Sequence, residues 1–222
     1  MANNEALLSM DADTHDKSWC EDEDPMVLGN IFNADKSVVI WQRSKHQAVE
    51  NYFDGLFSAL GLGIRGVYSL KSLKASIASS LPDGEGKQQV VDDIYLLSDM
   101  LITLFDCSSV GIRLVPLTSA MCPSFHVDNI PVRMVTTYLG PGTQWLPQDA
   151  VLAEKPTVNA APVSKTRLGH YYQPNKIQQM RTFDVGLLKG KAWQEHEEYA
   201  AIHRSCPVDA KTKRVLLTLD PM

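Results

Sequence analysis

The sequence predicts an α+β chain, with a helical layer in the N-terminal half and a β-rich C-terminal half of sandwich or barrel type. Two observations carry this. Between residues 87 and 106, Val90, Ile94, Leu97, Leu101 and Leu104 recur every three or four positions, an apolar stripe at helical period that Val91 and Phe105 widen. Beyond Ser108 the apolar runs shorten, become rich in β-branched residues and are broken by frequent turn signals, the texture of a sandwich or barrel and not of a βαβ fold.

Taken in order, residues 1–36 are acidic, with Glu21, Asp22, Glu23 and Asp24 in one run, and are expected to form a solvated, partly disordered leader. Residues 37–107 form the expected helical support region. It opens with a short buried strand at 37–43, continues in a helical block carrying Ala48, Tyr52, Phe53, Leu56, Phe57 and Leu60, and then in a helix over 69–81 closed by Pro82-Asp83-Gly84. Residues 108–222 form the β region, with strands expected at 110–117, 124–128, 132–139, 183–189 and 215–220 and a strong turn at Gly140-Pro141-Gly142. The Ala-, Pro- and polar-rich segment 147–175 is expected as a long loop over an opening.

Composition narrows the function classes. A net charge of −5 supplies no basic footprint, so nucleic acid is not an expected partner. No apolar run approaches the roughly 20 residues that cross a bilayer, and residues 1–17 lack the pattern of a signal peptide. A cytoplasmic protein without a membrane partner is the expectation. The four cysteines are too scattered for a disulfide framework and are expected as thiols.

The chemistry concentrates in two places. In His126-Val127-Asp128, read as a strand, the imidazole and the carboxylate share a face and can each fill one corner of a metal's coordination sphere. A third candidate ligand is His203, and eleven residues later Arg214 opens an apolar strand. A guanidinium held there requires a carboxylate, either from the protein (Asp209 or Asp220) or from a ligand gripped by its planar fork.

The His-x-Asp pair, the distant His and the Arg about ten residues beyond it resemble the iron(II)/2-oxoglutarate dioxygenases, particularly their prolyl-hydroxylase-like branch. The segments 133–142 (RMVTTYLGPG) and 186–193 (GLLKGKAW) are similar to strands of the same family, so the resemblance spans about residues 110–220. It implies a double-stranded β-helix (a cupin-like jelly-roll) over 108–222, an Fe(II) held by His126, Asp128 and His203, and 2-oxoglutarate as co-substrate bound by Arg214. Leu216 stands where those enzymes often carry Ser or Thr. Over the whole chain, WQR near residue 41, CPSFHVDNIPVR, YLGPGTQWL, KG, HRS and RVLLTLD are similar to a bacterial family known as domain of unknown function 1826, whose name supplies no reaction.

Other residues complete the expectations. Tyr138 is placed with Arg214 as cofactor-binding, and it and Trp145 read either as pocket walls or as core aromatics. Cys122 and Cys206, four residues before His126 and three after His203, are possible additional metal ligands. Thiolate with imidazole favours zinc, whereas two His and one carboxylate with open positions favour non-haem iron. The alternative to an oxidoreductase is therefore a non-catalytic, zinc-handling protein on a cupin-like scaffold. His170 could line the cavity from its loop, His196 reads as part of an exposed polar face, and His15 and His46 carry no partner pattern.

Overall fold

A computed structural model describes residues 17–152, 154, 164–166, 168–194, 197–209 and 211–222, and the fold is mixed α+β. The strands are β1 (Trp19–Asp22), β2 (Val38–Trp41), β3 (Ile64–Tyr68), β4 (Val110–Leu117), β5 (Val132–Leu139), β6 (Gln144–Leu146), β7 (Val151–Leu152), β8 (Ser164–Lys165), β9 (Tyr171–Tyr172), β10 (Gln178–Gln179), β11 (Val185–Lys189), β12 (Ile202–Arg204) and β13 (Arg214–Pro221). The α-helices are α1 (Gln47–Gly55), α2 (Leu70–Ser80) and α3 (Lys87–Phe105). A seven-stranded sheet runs in the order β1-β2-β11-β5-β13-β4-β3, a three-stranded sheet in the order β10-β6-β12, and a second three-stranded sheet in the order β7-β9-β8.

Side-chain alternation sorts the large sheet into two faces. Val132, Met134 and Tyr138 of β5, with Val215, Leu217 and Leu219 of β13, pack against the α3 stripe of Val90, Ile94, Leu97 and Leu101. The opposite face places Val38, Ile40, Val135 and Leu188 against Trp145 of β6 and Met180, in a second core facing the small sheet. Helices therefore cover one face, and the candidate site lies on the other.

Within residues 17–36, expected as part of a solvated, partly disordered leader, two segments form regular secondary structure while the acidic run stays exposed. β1 pairs in parallel with β2, and a 3-10 helix at Pro25–Phe32 buries Val27, Leu28 and Ile31. Asp24, one of the acidic run, caps that helix by accepting a hydrogen bond from the Met26 amide, so the run marks a helix start as well as a wet surface. Residues 1–16 lie outside the described residues. The support region contributes strands as well as helices, since β2 and β3 both join the large sheet. The segment 147–175, expected as a loop, carries β7, β8 and β9 among its described residues. Among the described residues no helix is long and apolar enough to cross a membrane.

Candidate metal centre

His126 and His203 meet through their backbones. The His126 amide donates to the His203 carbonyl at 3.0 Å and the His203 amide returns a bond to His126 at 2.9 Å, an antiparallel bridge that places the two rings 4.6 Å apart. The strand expected over 124–128 reduces to this one bridge. Prolines at 123 and 131 bracket the segment, and Pro has no amide to donate to a ladder. His203 itself lies on β12, paired with Trp145 of β6. Beside His126, the buried Phe125 ring packs edge-on against Tyr172, with the Arg204 guanidinium 4.3 Å from its centroid.

Asp128 is brought in from a third direction. The turn after β11 holds its backbone, with the Lys191 amide donating to the Asp128 carbonyl at 2.9 Å. Gly190 in that turn has no space for a Cβ, which would meet the Ile130 carbonyl oxygen. Gly190 and Lys191, immediately after β11, thus seat the Asp128 backbone.

The ligand atoms of His126, Asp128 and His203 all lie within 4.8 Å of one another, and no other group of three or more potential ligands lies this close among the described residues. The Nδ1 atoms of His126 and His203 sit 3.0 Å from the carbonyls of Ser124 and Ala201, the geometry of an N–H donor, which fixes the tautomer and leaves each Nε2 as the electron-pair donor. Those Nε2 atoms lie 3.5 Å from Asp128 Oδ1 and 3.6 Å from Asp128 Oδ2. Arg133 donates to Asp128 Oδ2 at 2.6 Å and grips Asp220 with its other two nitrogens at 2.8 and 2.7 Å. Burial by itself would raise the Asp128 carboxyl, but His126, His203 and Arg133 together hold it down at about 2. Burial pushes the His203 imidazole down, favouring the neutral ring that a metal takes.

A cavity of about 240 Å³ opens over these groups, lined among others by Arg113, Cys122, Val135, Thr143, Ser205, Leu216 and Thr218. Arg214 sits behind Thr143 and Ser205, 1% exposed. Its Nε donates to the Pro141 carbonyl at 2.7 Å, and its terminal nitrogens reach the hydroxyls of Thr137, Thr143 and Ser205 at 3.3 to 3.5 Å. The Gly140-Pro141-Gly142 turn delivers that carbonyl. Gly140 has φ +80°, and a Cβ there would strike the Lys213 carbonyl immediately before Arg214. Burial draws the Arg214 guanidinium down to about 10, and among the described residues no carboxylate pairs with it. Asp220 is engaged by Arg133, and Asp209 caps the turn at Thr212.

Several expected residues stand elsewhere. Tyr138 is on the helical face: it stacks on Phe53 at 5.2 Å and donates to Asp93 of α3 at 2.7 Å, so it does not face the cavity. Counting from Val132 by twos gives this result. Trp145 is core, packed edge-on against Trp19. Cys122 lines the cavity and Cys206 is buried, but neither thiol belongs to the three-ligand cluster. His170 is exposed and outside the cavity lining, His46 precedes α1, and His15 and His196 lie outside the described residues. Arg133 and the three hydroxyls around Arg214 went unassigned in the sequence. Same-face parity on β5 with Val135 was the available signal for Arg133 and Thr137.

No curated protein matches the chain. Among solved structures it is similar to the dioxygenase for auxin oxidation (DAO) in rice, with TM-score 0.46 and 12% identity over 83% of this chain and 72% of that one. It is similar to AviO1 from Streptomyces viridochromogenes Tue57, with TM-score 0.39 and 11% identity over 83% of this chain and 89% of that one. It is also similar to the non-heme monooxygenase ThoJ in its apo form, with TM-score 0.34 and 11% identity, covering 78% of this chain and 65% of ThoJ. Matched over residues 22–220, the chain belongs to the family described as Protein of unknown function (DUF1826).

Proposed function

We propose that the chain is a metal-dependent oxidoreductase of the iron(II)/2-oxoglutarate type, with the metal on His126, Asp128 and His203 and the co-substrate's distal carboxylate on Arg214. The large sheet and the β10-β6-β12 sheet are then the two walls of a double-stranded β-helix. One observation carries this reading: behind two hydroxyls that line the cavity of a two-His-one-carboxylate cluster, a guanidinium 1% exposed hydrogen-bonds only to uncharged oxygens among the described residues, with the Cys206 thiol nearby and no carboxylate. A buried charge without a counter-ion is costly, and a ligand carboxylate would relieve that cost.

The donor set fits iron. Two imidazoles and one carboxylate leave coordination positions open, and the thiols that would favour zinc lie outside the cluster. Bound iron(II) with 2-oxoglutarate supplies the oxidation of a substrate C–H bond by dioxygen, coupled to decarboxylation of the co-substrate. The chain's own part is geometry. His126 and His203 present Nε2, and Asp128 presents Oδ1 while Arg133 occupies Oδ2. Thr137, Thr143 and Ser205 orient the Arg214 fork, with the Thr hydroxyls in the role expected of a Ser or Thr at position 216. Leu216 and Val135 line the cavity with apolar surface that keeps water from the ligands.

Metal analysis of protein purified without added metal, followed by calorimetric titration with 2-oxoglutarate under argon, tests this reading. One metal and one 2-oxoglutarate per chain are expected. Metal without any 2-oxoglutarate binding contradicts the enzyme and favours a metal-binding protein.

A further inference from the structure

A single cross-strand row crosses the site face of the large sheet. Val135 on β5 opposes Thr218 on β13, Thr218 opposes Arg113 on β4, and Arg113 opposes Arg65 on β3. Directly opposed residues project from the same face. The row begins in the cavity, whose lining includes Val135, Thr218 and Arg113, and ends at the exposed Arg65 on the sheet's edge strand.

Two like charges directly opposite each other weaken a sheet. Here no carboxylate among the described residues pairs with either of them. Arg43, Arg133, Arg181, Arg204 and Arg214 each hydrogen-bond to a side chain or a carbonyl. Alone among the described arginines, Arg65 and Arg113 have no side-chain hydrogen bond or ion pair with a described residue. The chain as a whole is acidic, with net charge −5, so this paired cation is a local feature and not part of a general positive field.

We propose that Arg65 and Arg113 recognise an anionic group, carboxylate or phosphate, on the substrate, whose reacting part then lies in the cavity beside His126, Asp128 and His203. Guanidinium forks on adjacent strands, about 4.8 Å apart, suit the two oxygen edges of one such group. β4 and β5 flank β13, so the Arg113 and Val135 positions of the row are about 10 Å apart. A small anionic molecule spans that distance. The role given to the reacting part rests on the oxygenase reading, whereas the anion site stands on the arginine pair alone.

Titration of metal-free protein with inorganic phosphate, followed by the Nε–H resonances of the arginines, tests the pair without iron or 2-oxoglutarate. The Arg65 and Arg113 signals are expected to move together on one isotherm. Arg113→Gln and Arg65→Gln should each weaken phosphate binding about tenfold, since each removes a charge-assisted pair, and Arg113→Lys should restore part of it. Melting temperature should be retained in Arg113→Lys and retained or raised in the two Gln variants, which relieve the like-charge opposition, and iron(II) and 2-oxoglutarate, where the wild type binds them, should be retained in all three. No saturation by about 20 mM phosphate, well above a millimolar Kd, overturns the proposal. So does unchanged phosphate binding in Arg65→Gln, which alters an exposed residue that folding does not require. Equal loss of phosphate and 2-oxoglutarate in the variants would also overturn it, by assigning the pair to the co-substrate. Saturable phosphate binding in a protein that takes no 2-oxoglutarate would leave the anion site standing and remove only the oxygenase reading.

Discussion

His126 and His203, 77 positions apart in the chain, face each other as a mutually hydrogen-bonded antiparallel pair with ring centroids 4.6 Å apart. The backbone, not the side chains, sets their approach. Each Nδ1 is committed to a carbonyl two residues back along its own chain, so both rings turn Nε2 toward Asp128. The arrangement presents three ligand atoms without any rearrangement of secondary structure.

Tyr138 supplies a control for this geometry. Because it stacks on Phe53 and bonds to Asp93 on the helical face, Tyr138→Phe should leave metal and 2-oxoglutarate affinity unchanged. It should lower stability by about 1 kcal/mol through loss of the hydroxyl's bond. Chemical denaturation with parallel ligand titrations checks both. A loss of 2-oxoglutarate affinity in a fully folded variant would return Tyr138 to the cavity.

Much of this architecture was legible in the sequence, for reasons that also explain what was not. β4, β5 and α3 fall where alternation and the apolar stripe put them, since each buries one face against a continuous core. β1 and β3 escaped. They are the edge strands, with Glu21, Asp22, Arg65 and Val67 exposed, so their sequences carry little core pattern. The His-x-Asp spacing and the later His identified the three residues that converge. The sequence did not distinguish Tyr138 from Thr137 as the side chain facing Arg214, because that depends on strand parity referred to a core face not yet known. The Asp128–Arg133–Asp220 bridge joins residues from two strands and a loop, and no local pattern announces it.

The thiols separate iron from thiolate-bound zinc. With both sulfurs outside the three-ligand cluster, Cys122→Ser and Cys206→Ser should keep metal content close to wild type, whereas Asp128→Ala should lose it. Elemental analysis of the purified variants decides. Zinc at one per chain that disappears in either serine variant would contradict the assignment.

Lys189 gives a pH dependence independent of the site. It is buried with its ammonium on the Asn33 carbonyl at 2.7 Å and 5.1 Å from the Trp193 ring, and burial pushes it down to about 8. Below that value Lys189 is protonated in both folded and unfolded chains. Between about 8 and the unfolded value of about 10.4 only the unfolded chain holds the proton, so stability contributed by this group rises with pH and then levels off. Urea midpoints of wild type minus Lys189→Met, compared at pH 7 and pH 10, should show the wild type gaining. A difference that does not change with pH would exclude a depressed Lys189.

In the proposed enzyme, Arg214 receives the distal carboxylate of a co-substrate chelated at the His126–Asp128–His203 centre. Anaerobic protein with iron(II), titrated with 2-oxoglutarate and followed in the visible range, measures it directly. A saturable charge-transfer band at one equivalent per chain is expected. Arg214→Ala should weaken it at least about tenfold, since hydrogen bonds to a charged group contribute roughly 1.5–3 kcal/mol. Arg214→Lys should fall between, keeping the charge and losing the fork. No band in the wild type at millimolar 2-oxoglutarate, or a band of unchanged affinity in Arg214→Ala, would contradict it.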